Sequence, residues 1–133
     1  MVNFQSGLLG VSETSSDMHD LLERETEDVR AAESVALFCY QVKKWIGAFA
    51  AVLGGLDTLV FAGGIGENAP IVRTRICDGL GFLGIELNEK RNAKNSQLIS
   101  PDAGPVAVRV MHTDEEWMIA ETVCRVLGLG PAQ

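Results

Sequence analysis

The sequence predicts an α/β fold, and three observations carry that expectation. Apolar residues recur every three or four positions from Val29 to Leu53, the signature of one long amphipathic helix. After Gly54-Gly55 comes a short apolar run rich in β-formers, residues 58–62, and then a second helical periodicity beginning at Glu67. A second β-branched run, residues 106–111, leads into another amphipathic stretch. Helices alternating with short apolar strands are the pattern of helices layered on a sheet. With 133 residues, 47% of them hydrophobic and 22% charged, the chain has the makings of one domain or part of one, and is too apolar for wholesale disorder.

Each element follows from local chemistry. Residues 1–15 are small, polar and punctuated by Gly7 and Gly10, which reads as an extended or looped lead-in. Ser15-Ser16-Asp17 supplies capping side chains, and Met18, Leu21 and Leu22 follow at helical spacing, predicting a short helix over 16–23. A charged break over 24–28 precedes the long helix, which is expected to pack against a sheet and to end at Gly54-Gly55, because glycine takes the left-handed conformation that closes helices. Residues 58–62 have the near-continuous apolar pattern of a strand buried on both faces. The glycines after it predict a turn, and Ile71, Arg75/Ile76 and Leu80 mark a helix from Glu67 that tolerates Pro70 in its first turn. Gly79, Gly81 and Gly84 carry the chain to a short strand expected at 85–87. A charged short helix or turn spans 88–94 and a loop spans 96–104. Thr113 starts the last helix, 114–127, with acidic residues in its first turn, and Gly128, Gly130 and Pro131 end it. Two firm strands are few for a doubly wound sheet.

Composition excludes several functions. A net charge of −7 argues against nucleic acid as a main partner, because that binding depends on Lys and Arg neutralising phosphates. Cys39, Cys77 and Cys124 are widely spaced and form no C-x-x-C pair, so they read as reduced, mostly buried thiols of a cytoplasmic protein. The N-terminal residues lack the basic and apolar blocks of a signal peptide, and no uninterrupted apolar segment reaches about 18 residues, so neither export nor membrane insertion is expected.

Three short stretches could carry chemistry. Gly63-Gly64-Ile65-Gly66-Glu67-Asn68 places glycines and a helix start after a strand, an arrangement that offers backbone N–H groups to a phosphate or wraps a nucleoside. It lacks both the Lys-Ser/Thr of a P-loop and the dinucleotide spacing, and a tight structural turn explains the pattern equally well. Residues 12–20, SETSSDMHD, form a helix cap with surplus hydroxyls, in which a lone His19 reads as solvated. His112-Thr113-Asp114-Glu115-Glu116 puts three carboxylates at the exit of a strand, suited either to Mg²⁺ or to compensating a helix dipole. Trp45, Phe49, Trp117 and Met118 lie on helical segments and read as packing or subunit-contact residues.

Taken together, "SGLLGVSETSSDMHDL", "FCYQVKKWIGAFAAVLGGLDTLVFAGGIGENAPIVRTRICDGLGFLGIEL" and "HTDEEWMIA" resemble, in order and spacing, the C-terminal part of acetate kinases and their propionate and butyrate relatives. The resemblance runs from Ser6 to Leu127, and FAGGIGEN-x-P-x-VR is its most specific motif. It implies that residues 1–133 are an incomplete C-terminal domain of the actin-like ATPase fold shared by sugar kinases, Hsp70 and actin, which accounts for the shortage of strands. It further implies that Gly64, Ile65, Gly66, Glu67 and Asn68, with Asp17, Met18 and His19, contact ATP or ADP, and that Glu115, followed by Glu116, associates with Mg²⁺. His19 stands where the family usually has Arg, a loss of fixed charge and of a planar donor fork near the phosphates. Glu13 stands where Gly is common. The intact relatives, expected to be cytoplasmic homodimers, pass the γ-phosphoryl of ATP to acetate or propionate. The Asn, Arg, His and Asp residues used in that transfer belong to segments not found in these 133 residues, so the chain holds no catalytic residue and is expected to be inactive alone. A non-catalytic assembly module that keeps the kinase dimer surface is the alternative.

Overall fold

A computed structural model describes residues 6–129; the first five residues of the looped lead-in and the Gly130-Pro131 stop lie outside the described residues. The first element is a helix where a loop was expected. Helix α1, Gly7–Ser12, closes on Glu13, which adopts the left-handed conformation (φ 58°) and donates its backbone N–H to the Leu9 carbonyl. The hydroxyl of Ser12, fully buried, then accepts from the N–H groups of Thr14 and Ser15 and donates to the Ser15 carbonyl. This compact turn delivers the chain to α2, Met18–Arg24, where the Asp17 carboxylate caps the start by accepting from the His19 N–H.

Helix α3, Val29–Leu53, has the bounds its periodicity predicts: the Asp28 carboxylate caps its start and Gly54, at φ 77°, its end. Its main packing partners are α1, α2 and α5 (Pro70–Cys77) rather than a sheet. By length and composition α3 is apolar enough to cross a bilayer, with an 18-residue window of mean hydropathy 1.2. In this fold its inward stripe, Ala31, Val35 and Cys39, joins the core with Leu21, Val72, Ile76, Ile99 and Val108.

Strands β1, Thr58–Phe61, and β2, Ala107–Val110, run parallel, with Thr58 opposite Ala107 and Phe61 opposite Val110. Parallel neighbours require a long crossover, and the intervening helices supply it. Contrary to the sequence pattern, β1 is buried on one face only: Phe61 is buried while Val60 is 44% exposed. The 96–104 loop is partly ordered by the sheet, since Leu98 bridges Arg109 antiparallel, Ile99 N–H bonds the Val108 carbonyl at 2.8 Å, and Val110 N–H bonds the Gln97 carbonyl at 3.0 Å. Residues 85–87 form no strand; a 3₁₀ turn, Gly81–Leu83, precedes them.

The helix expected from Glu67 begins four residues earlier. Helix α4, Gly63–Asn68, includes the glycines, and Ala69 breaks it from α5. The buried stripe of α5 is Val72, Arg73, Ile76 and Cys77, so Ile71 is turned outward, 47% exposed. Helix α6, Glu89–Ala93, is capped by Asn88, and α7, Glu115–Val126, by Asp114. Trp45, Phe49, Trp117 and Met118 do not pack into this chain's core; all four are more than half exposed.

Candidate functional site

The C-terminal ends of the two parallel strands put α4 beside the segment His112–Asp114. Glycine is a poor helix former, so α4 needs outside support. Glu67 provides it at one end. Its side chain turns back so that Oε1 accepts from the Gly63 N–H at 2.9 Å, one of the N–H groups that a helix start leaves without a partner. The same oxygen accepts from the Thr113 N–H and from the Thr113 hydroxyl, each at 2.9 Å, and Oε2 meets Nδ1 of His112. Glu67 is 7% exposed, and these donors, the Thr113 N–H foremost, hold its carboxyl at a pKa of about 2 against the desolvation of its burial. A carboxylate so satisfied stays ionised at neutral pH.

Arg73 supports the other end of α4. Its guanidinium, fully buried, donates to the Gly66 and Glu67 carbonyls at 2.8 and 3.0 Å, to the Asn92 carbonyl at 2.8 Å, and to the side-chain oxygens of Asn92 and Asn95 at 2.7 and 2.6 Å. All five of its N–H groups are thus engaged, by neutral acceptors and by the carbonyl end of a helix, where positive charge is favoured. Burial nonetheless pushes its pKa below the usual arginine value. Asn92 completes the cluster, donating to the Pro70 carbonyl and the Thr74 hydroxyl at 3.0 and 2.9 Å. A bidentate pair, Arg75 to Glu25 at 2.7 Å for both bonds, joins α5 to the end of α2 and lowers the Glu25 pKa.

The glycines of α4 differ in why they are glycine. Gly63 takes φ 71°, and a Cβ on Gly66 would lie 3.2 Å from the Phe61 backbone carbon. Gly64 has neither constraint: its φ is ordinary for any residue, and a Cβ there would meet nothing within 4 Å. It floors an open groove of about 410 Å³, with Ile65, Phe38, Val42 and Val60 among the walls. A second cleft, of about 560 Å³, lies where Asn68, Asn95, Gln97, Arg109 and His112 converge around Glu67. Asn68 itself is exposed, its side-chain amide donating to the Gly64 carbonyl at 3.1 Å.

The structure places the remaining candidates differently. The Asp17 carboxylate caps α2 by accepting from the His19 N–H at 2.8 Å, and Met18 is 4% exposed within the core. His19 is exposed, 3.7 Å from Glu23 one helical turn on. Neither cleft beside α4 is lined by Asp17, Met18 or His19. Glu115 opens α7, but its side chain lies outside what the structure describes. Among the described residues no group of three His, Cys, Asp or Glu side chains converges on a cation position. Reading the sequence missed the two groups that organise the site, Arg73 and the tie from Glu67 to His112-Thr113. The signal for Arg73 was present, since it lies three and four residues before Ile76 and Cys77, on the apolar stripe of α5.

This mixed α/β arrangement is similar to about a third of the length of solved kinase structures of the actin-like ATPase fold family. It matches the crystal structure of Porphyromonas gingivalis acetate kinase with a TM-score of 0.83 at 38% identity, over 95% of this chain and 33% of that one. A propionate kinase structure from Francisella tularensis matches with a TM-score of 0.80 at 34% identity, over 91% of this chain and 31% of the other. The Acetokinase family profile matches residues 1–121, and the chain belongs to that family. It is 47% identical over 131 residues to the acetate kinase of Dictyoglomus thermophilum and 43% identical over 127 residues to the propionate kinase of Yersinia enterocolitica. The chain spans about a third of the length of these relatives, 33% and 31% respectively.

Proposed function

We propose that this chain is the C-terminal, adenosine-binding part of an ATP:acetate or propionate phosphotransferase. The observation that carries the reading is Gly64, the one residue of the glycine cluster that the fold itself does not require to be glycine. A bare position on the floor of an open groove suits close approach of a flat ligand to the main chain. Gly64, Ile65 and Gly66 present the groove to ADP or ATP and Asn68 borders the neighbouring cleft, while of the second segment, Asp17, Met18 and His19, only exposed His19 has a side chain free to reach a nucleotide, from outside both clefts. The donor chemistry at the β2 exit fits Mg²⁺ carried largely by nucleotide phosphates and water, with Glu115 the carboxylate that would hold it and Glu116 beside it. When bound, such an ion neutralises phosphate charge. Phosphoryl transfer depends on positioning and charge neutralisation, and the acyl pocket belongs to sequence beyond these 133 residues, so the chain alone does not turn over.

Calorimetric titration with ADP and Mg²⁺ tests the reading. Saturable binding that Gly64→Val abolishes while leaving the circular dichroism spectrum unchanged supports it; equal binding by the variant refutes it. Acetyl phosphate formation by the purified chain refutes the claim of inactivity.

A second reading, an assembly module that keeps a homodimer surface, is favoured by the exposed stack of Trp45 on Phe49, with ring centroids 5.7 Å apart, and by exposed Trp117 and Met118. A monomer by light scattering at micromolar concentration rules it out.

A further inference from the structure

Resting on the nucleotide reading above, we infer that the Glu67 carboxylate is a positioning residue that locks the glycine helix to the acidic segment at the β2 exit, and is not itself a nucleotide ligand. The resemblance groups Glu67 with its neighbours as a ligand contact, but the geometry separates them. Gly64 and Asn68 face open space, whereas the Glu67 carboxylate is turned inward among protein donors. Oε1 already accepts three hydrogen bonds, one from Gly63 and two from Thr113, which lies 46 residues beyond Glu67 in sequence. A nucleotide hydroxyl or amine would have to displace one of them.

The position of this tie gives it a function. Its first anchor, Gly63, is the residue before Gly64, and its second, Thr113, stands two residues before Glu115. One carboxylate therefore fixes the adenosine groove relative to the residue proposed to meet the cation. The Glu67 main chain is held as well, because its carbonyl accepts from Arg73 at 3.0 Å. Side chains that fix the elements presenting a ligand typically change metal affinity by about 10- to 100-fold when removed, without touching the metal.

The test compares Glu67→Ala with Glu67→Gln in the whole chain. The glutamine keeps an oxygen at the Oε1 position and so keeps the tie, while the alanine removes it. Amide hydrogen exchange is read first: Gly63 and Thr113 lose protection together in Glu67→Ala and retain it in Glu67→Gln. ADP affinity is then measured with and without Mg²⁺. The gain in affinity that Mg²⁺ confers falls about tenfold or more in the alanine variant and survives in the glutamine variant, a difference that loss of stability alone does not produce. If Thr113 stays protected in Glu67→Ala, or if the Mg²⁺ gain is unchanged there while the wild type binds ADP, this inference fails and the nucleotide reading stands. If the wild type binds no ADP, both fail.

Discussion

Arg73→Met is the perturbation that most directly tests how the site is held. Methionine keeps much of the aliphatic volume and removes the guanidinium, which is fully buried and contacts five acceptors. Three of those bonds, to the Asn92 side chain, the Asn92 carbonyl and the Glu67 carbonyl, are buried, while the Gly66 and Asn95 acceptors are within reach of water. Stranding a buried acceptor costs about 1–3 kcal/mol, so the three together give roughly 3–9 kcal/mol gross. Against this stands relief of the guanidinium's own desolvation, which for a buried ion amounts to several kcal/mol. The net expectation is a loss of about 2–5 kcal/mol, a large share of the roughly 5–15 kcal/mol that holds a domain folded. Arg73→Lys, with three donors on one atom, falls between the two. The assay is urea unfolding followed by far-UV circular dichroism. With a slope of about 1–2 kcal/mol/M, the midpoint drops by roughly 1–5 M at unchanged slope. A midpoint for Arg73→Met within about 0.2 M of wild type would refute the reasoning, because it would mean that burying the charge offsets everything its bonds contribute.

Other consequences are smaller or confined to particular conditions. Because the Glu67 pKa is lowered from the ordinary 4.5 to about 2, its contribution is complete above about pH 4.5 and is lost as pH falls towards 2; Glu67→Gln removes this part of the acid dependence, which acid titration of the unfolding midpoint measures. Glu13 occupies a left-handed position at φ 58° and pairs with exposed Arg30. Glu13→Gly is expected to stabilise by up to about 1 kcal/mol, as relief of a left-handed residue outweighs an exposed ion pair; thermal unfolding decides, and a lower midpoint contradicts it. Burial raises the thiol pKa of Cys39 and pushes that of Cys77 up to about 12, whereas Cys124 is exposed. A disulfide reagent at pH 8 therefore modifies one thiol quickly and two only on unfolding, and Cys124→Ser abolishes the fast phase.

Much of the fold was legible because it obeys simple periodicities. The apolar stripe of α3, ended by Gly54, set both of its bounds, and the β-branched runs located β1 and β2. Helix α4 was illegible for a physical reason: three glycines in six residues oppose a helix, and what overrides them is tertiary. Glu67 satisfies its first N–H from within the same segment, and Arg73 grips its last carbonyls from the next helix. The periodicity of α5 marks Arg73 as inward-facing, but nothing local in the sequence says that it grips α4 or that Glu67 turns back on Gly63. Helix α1 was missed similarly, since its glycines mask a segment that closes through a left-handed glutamate. One-sided burial of β1 also escaped the pattern, because an apolar run records how a strand is covered in its full setting, and among the described residues β2 alone pairs with it. Of the candidate site, glycines could be read as a ligand turn or a structural turn, and only the geometry separates Gly64 from its neighbours.

Helix α7 has a different standing from the rest of the chain. Every side chain described along it, from Glu116 to Leu127, is exposed, including Trp117, Ile119 and Val126. It is 12 residues long, at the margin where a helix without tertiary support is about as stable as coil in water. The chain thus joins a cooperative core to a segment whose helicity is conditional. Its start is the exception, held by the Asp114 cap and by the tie from Thr113 to Glu67, so any partner that covers the apolar face further along meets a helix already anchored at one end.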